Sequence, residues 1–142
     1  MVERLKKIVV GNPLDKKTYI GTLVTKSACD KVQKQVNKII EQGGQLIYGG
    51  KSEGAVYYPT VITNIPKTAD VAKDDEVFGP VVSIIPCDGV EEAVEIANQT
   101  SYGLGSCVFT KDMKTAFKVA SAIESGGCVI NGASFHRSFE MP

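Results

Sequence analysis

Asp74-Asp75-Glu76-Val77-Phe78-Gly79-Pro80 places three consecutive carboxylates, an aromatic ring and a Gly-Pro pair directly ahead of an apolar run. A carboxylate can accept two hydrogen bonds from a vicinal diol. An aromatic two residues later can lay its face on a heterocycle, with Gly79-Pro80 fixing the backbone beside it. The stretch reads as the rim of a ligand site. The plainer alternative is a solvated acidic turn with Phe78 plugging the core.

The other reactive side chains are four cysteines (Cys29, Cys87, Cys107, Cys128) and the single histidine, His136. A thiol with His136 as base would make a small Cys–His enzyme. The local settings argue against it. Cys107 and Cys128 fall in apolar strand patterns, Cys29 falls on a helix and Cys87 follows a strand end, and a cysteine buried in such a setting is usually an inert small hydrophobe. The four are far apart with no CxxC pair, so no zinc site or redox dithiol is indicated. An even number can pair as disulfides, but a cytosolic setting favours free thiols. Glycine-rich nucleotide loops, HExxH and GxSxG are all absent.

With 142 residues, 43% hydrophobic and 23% charged, the chain has the size and composition of one globular domain, residues 1–142. Sixteen basic and sixteen acidic side chains give no net charge, and so no field to gather nucleic acid or an acidic membrane. No apolar stretch approaches the ~20 residues of a membrane span, and Ile8-Val9-Val10 is too short for a signal peptide. The cytoplasm is the expected compartment.

The elements that must carry these residues follow from periodicity. Val2, Leu5, Ile8 and Val9 form the stripe of a short helix ending at Gly11-Asn12-Pro13. Ser27 reads as the N-cap of a helix to about Gln42, with Ala28, Val32, Val36, Ile39 and Ile40 inward and Gly43-Gly44 closing it. Leu46-Ile47-Tyr48 and Ala55 to Ile62 read as extended segments. Val81 to Ile85 reads as a strand buried on both faces. A helix from Val90 to Asn98, a strand from Gly105 to Thr110, a helix capped by Asp112 and a strand Cys128-Val129-Ile130 follow. Strand–helix–strand–helix–strand with short links predicts an α/β fold, a three-layer α/β/α arrangement around a mostly parallel sheet.

The resemblance is carried by ordered motifs along the chain: Val10-Gly11-Asn12-Pro13-Leu14-Asp15, Thr18 with Ile20-Gly21, Gly49-Gly50, Tyr58-Pro59-Thr60-Val61, and Glu76-Val77-Phe78-Gly79-Pro80-Val81. Ala97-Asn98 with Tyr102-Gly103-Leu104-Gly105, Val108-Phe109-Thr110 and Val129-Ile130-Asn131 complete the set. Together they resemble the C-terminal part of the catalytic domain of the NAD(P)-dependent aldehyde dehydrogenase superfamily; Thr22 stands where that family usually has proline. The resemblance implies that Glu76 hydrogen-bonds the ribose next to the nicotinamide of NAD or NADP and that Phe78 packs by the nicotinamide ring. It places Asn131 at the start of a loop over the aldehyde funnel, with Ser134, Phe135, His136 and Arg137 in the substrate-selecting stretch.

In that family a cysteine thiolate attacks the aldehyde to form a thiohemiacetal, hydride passes to the cofactor, and a glutamate activates water to release the acid. The resemblance puts the nucleophile, the general base and the dinucleotide-holding domain outside this sequence, and none of the four cysteines in the nucleophile motif. The expectation is therefore a partial catalytic domain, inactive alone and binding no cofactor alone. A parent enzyme would oxidise an aldehyde substrate, and exposed sheet edges would support a homo-oligomer. The alternative is a non-catalytic structural or oligomerising α/β module.

Overall fold

The computed structural model describes residues 1–133, and Ser134, Phe135, His136 and Arg137 lie outside them. The fold is α/β. Two compact units are found: Met1–Val71 with Asp75–Pro86, and Ala72–Asp74 with the described residues from Cys87 on.

In the first unit, helix α1 (Val2–Leu5) is shorter than its apolar stripe suggested, and Val10 instead bridges to Ile20. Helix α2 (Lys26–Glu41) starts two residues ahead of expectation. Thr25 is its cap, with Oγ1 accepting from the Ala28 amide at 3.1 Å, while Ser27 Oγ meets Thr25 Oγ1 at 2.9 Å. Gly43 and Gly44 donate back to the Ile40 and Ile39 carbonyls and end the helix as expected. The buried stripe is Cys29, Val32, Val36 and Ile39; Ile40, expected inward, is 37% exposed.

Strands β1 (Gln45–Tyr48), β2 (Ser52–Glu53), β3 (Val56–Tyr57), β4 (Thr60–Thr63) and β5 (Val81–Ser83) complete this unit's regular structure. The extended stretch expected from Ala55 to Ile62 is two strands, because Pro59 has no amide to donate to a ladder. β2 and β3 form an antiparallel hairpin. β1 pairs antiparallel and β5 parallel with the central β4, so the sheet is mixed. The stripe of α2 packs with Tyr57, Ile62, Ile65 and Ala69, and Val81 and Ile85 join this core. Each fully buried Val or Ile of this core contributes about 1.5–3 kcal/mol by leaving water.

β5 is not buried on both faces. Side chains alternate along a strand. Val81 and Ile85 face α2, while Val82 is 42% and Ile84 38% exposed, as is Ile47 at 45%. On that second face Val61 of the central β4, paired with Val82, is buried, so the exposure falls on the outer strands.

In the second unit, α3 (Val90–Ala97), β6 (Ser106–Val108), α4 (Met113–Ala122) and β7 (Cys128–Ile130) follow the predicted order. β6 and β7 pair in parallel through the α4 crossover, as expected. Asp112 caps α4, its carboxylate accepting from the Thr115 amide at 2.8 Å. Lys118 of α4 pairs with Glu91 of α3. Asn98 ties the end of α3 to that of α4: its Nδ2 donates to the Ala122 carbonyl at 2.9 Å and its Oδ1 accepts from the Glu124 amide at 3.0 Å. No helix among the described residues is long and apolar enough to cross a membrane.

Candidate functional site

The path of the acidic loop is set by residues that flank Glu76 and Phe78. The Val77 side chain packs against the core built on α2. Gly79 lies so close to α2 that a Cβ would stand 3.0 and 3.1 Å from the Val32 methyls. The Gly79 amide donates to the Val77 carbonyl at 2.9 Å and the Val81 amide to the Gly79 carbonyl at 2.8 Å, giving two successive tight turns. The Thr60 amide donates to the Pro80 carbonyl at 2.9 Å, fastening the loop to β4.

With Val77 turned inward, its neighbours turn outward. Glu76 is exposed, and so is Phe78 at 70%. Phe78 is therefore not the core plug of the plainer reading; Val77 fills that place.

The three carboxylates divide by what holds them. Asp74 accepts from the Ser101 amide at 2.7 Å and from the Thr100 and Ser101 hydroxyls at 2.9 and 3.1 Å. These bonds, the amide foremost, hold its carboxyl below the usual carboxylate range. Asp75 accepts from Gln35 Nε2 at 2.6 Å and lies 3.8 Å from Lys38 Nζ. The Glu76 carboxylate has no hydrogen-bond or ion-pair partner among the described residues. Two of the three acids are tethers, and the third is left without a partner among the described residues. An exposed, unpaired carboxylate beside an exposed ring suits a diol-bearing heterocycle such as a nicotinamide riboside.

The cysteines depart in part from expectation. Cys29 is sealed on α2, and burial, aided by Asp30, pushes its thiol up, away from the nucleophilic thiolate. Cys107 and Cys87 are exposed and Cys128 is half-buried, so apolar strand neighbours did not enforce burial. All four are free. Cys87 and Cys107 line a hollow of about 550 Å³ in the second unit with Val90, Val94, Val119 and Ile123, and among the described residues its lining has no carboxylate or cation for a dinucleotide. No three His, Cys, Asp or Glu side chains gather as metal ligands among the described residues.

Sequence reasoning missed Gln35 and the role of Asn131 at the end of β7. Gln35 is a polar residue on the buried stripe of α2, and that misplacement was its only local signal. Asn131 clamps the strand ends reciprocally, Oδ1 accepting from the Thr110 amide and Nδ2 donating to the Thr110 carbonyl, each at 2.9 Å.

These features meet in one comparison: the model of the aldehyde dehydrogenase family matches residues 1–142. The chain belongs to the aldehyde dehydrogenase family. It is 39% identical over 140 residues to a 3-sulfolactaldehyde dehydrogenase of Priestia aryabhattai, an alignment covering 99% of this chain and 29% of that one. Among solved structures, the glyceraldehyde-3-phosphate dehydrogenase of Methanocaldococcus jannaschii complexed with NADP superposes with a TM-score of 0.91 at 40% identity, over 99% of this chain and 30% of that one. The betaine aldehyde dehydrogenase of Staphylococcus aureus in complex with NAD+ gives 0.85 at 33%, over 97% and 28%. This aldehyde dehydrogenase chain thus spans about 30% of the length of the relatives it matches.

Proposed function

We propose that the chain forms part of one catalytic domain, residues 1–142, and supplies a wall of the NAD(P) cleft in an enzyme that oxidises an aldehyde to a carboxylic acid. The supporting observation is the sorting of the acidic loop: Asp74 and Asp75 are used up as tethers, while Glu76 and Phe78 stand free on either side of the anchored Val77. Glu76 would accept from the ribose hydroxyls beside the nicotinamide, and Phe78 would limit the motion of the ring. When bound, the nicotinamide supplies the hydride acceptor; this chain's residues orient it.

Ser134, Phe135, His136 and Arg137 are assigned to aldehyde selection, and a histidine and an arginine there suit a polar or anionic aldehyde. None of the four cysteines is taken as the nucleophile, so the 142-residue chain alone turns over no aldehyde. The cytoplasm fits a chain whose four thiols are unpaired.

The test grafts this segment onto the Methanocaldococcus jannaschii glyceraldehyde-3-phosphate dehydrogenase in place of its matching 30%. In an active chimera, Glu76→Gln should slow single-turnover hydride transfer by ~10²-fold through misorientation, with the melting temperature unchanged. Hydride transfer indifferent to both Glu76→Gln and Phe78→Ala, or an equal loss of stability and activity, would overturn the reading.

A second reading is an assembling module, favoured by the exposed sheet face at Ile47, Val82 and Ile84 and by β5 at the sheet edge. Exposed apolar faces and open edges recruit further chains. Sedimentation of the purified chain should show a dimer or larger species that dissociates on Val82→Lys; a strict monomer would remove this reading.

A further inference from the structure

Gln35 is 8% exposed and sits on the apolar side of α2, one turn from Val32 and beside Val36. Its Nε2 donates twice, to Asp75 Oδ1 at 2.6 Å and to the Glu76 backbone carbonyl at 3.0 Å. Both partners can only accept, so the amide group must face them with its nitrogen. Its Oε1 is buried and finds no donor among the described residues. A buried acceptor left unmet costs stability. As a packing element Gln35 is therefore poor, while as a two-pronged clamp on residues 75 and 76 it is well made.

The clamp acts on the right atoms. A carbonyl fixed toward α2 fixes the peptide plane between Glu76 and Val77. With Val77 already held in the core, that leaves little freedom in the backbone from which the Glu76 side chain departs. We propose that Gln35 is a positioning residue for the cofactor rim, setting through the Glu76 carbonyl the direction in which the Glu76 carboxylate leaves the backbone. The functional half of this rests on the assignment of Glu76 to the nicotinamide ribose; the structural half does not.

Two arms separate them. In the 142-residue chain, Gln35→Met keeps a long unbranched side chain and removes both donors together with the unmet acceptor. Hydrogen exchange at the Gly79 and Val81 amides should accelerate about 10-fold while amides in the middle of α2 keep their rates. Gln35→Glu, which keeps the shape but sets a second carboxylate against Asp75, should loosen the same amides at neutral pH should the methionine variant fold poorly. Unchanged exchange at Gly79 and Val81 in the folded variant overturns the clamp.

In the chimera, Gln35→Met should slow hydride transfer about 10-fold, but less than about 2-fold where Glu76 is already Gln, because both changes act on one group. Fully multiplying effects would show that Gln35 does not work through Glu76. A silent Glu76→Gln would instead sink the ribose assignment and leave the clamp to the exchange arm.

Discussion

Alanine at Gly49 is expected to destabilise the first unit by about 3–5 kcal/mol, among the largest losses a single methyl can cause. Gly49 has φ +78°, a conformation L side chains rarely adopt, and a Cβ there would stand 2.0 Å from the Pro59 carbonyl oxygen and 2.7 Å from Thr60 Oγ1. The obstacle is backbone, which cannot swing aside as a side chain could. The next amide, on Gly50, donates to Thr60 Oγ1 at 2.8 Å, so relaxing the clash would also cost the bond that seats the loop on β4. Gly54 provides the control. It too has positive φ, +59°, but nothing lies within 4 Å of its would-be Cβ. Gly54→Ala should cost only about 1 kcal/mol, the strain of the conformation alone. Urea midpoints of the two variants check the contrast, and equal losses would show that the close approach to Pro59 is not what matters.

Tyr57→Ala should cost a similar about 3–5 kcal/mol. The ring is fully buried at the centre of the α2 core, and its removal leaves a cavity that Ile62, Val36 and Cys29 cannot close without moving the helix. Tyr57→Phe should cost only about 1 kcal/mol, since the bond from the hydroxyl to Gln33 Oε1 is long, at 3.3 Å. The same burial gives a pH signature. Desolvation foremost, with Cys29 adding to it, pushes the Tyr57 phenol up, and burial pushes up the Cys29 thiol. Both groups ionise more easily unfolded than folded. Their contribution is thus complete below the unfolded values and is lost as pH climbs from about 9 through the raised folded ones. Wild type should lose stability over that alkaline range more steeply than a Cys29→Ala, Tyr57→Phe double variant. Parallel curves would refute the linkage.

What could be read in the sequence was what local chemistry decides. The α2 stripe, its Gly43-Gly44 stop, the Asp112 cap and the β6–α4–β7 crossover each depend on neighbours within a turn or a short connection, and each was legible. The errors have equally definite causes. Thr25 and Ser27 are both good caps, and only the course of the chain before Lys26 chooses between them. Val82 and Ile84 are apolar enough for a strand covered twice, but composition cannot reveal what covers a face. Cys107 was misjudged for the same reason.

At the candidate site, the motif holding Glu76 and Phe78 was visible, whereas the sorting of Asp74, Asp75 and Glu76 into tethers and free group was not. That sorting depends on Ser101 and on Gln35, 27 and 40 positions away along the chain. No local periodicity encodes such pairings.

The buried thiol on α2 has one more use. Three sulfurs are at least partly open to reagent and Cys29 is closed, so the fourth equivalent of a thiol label can enter only when the helix lifts from its sheet. Its rate of entry makes Cys29 a native stopwatch for the opening of that core, one that needs no added reporter.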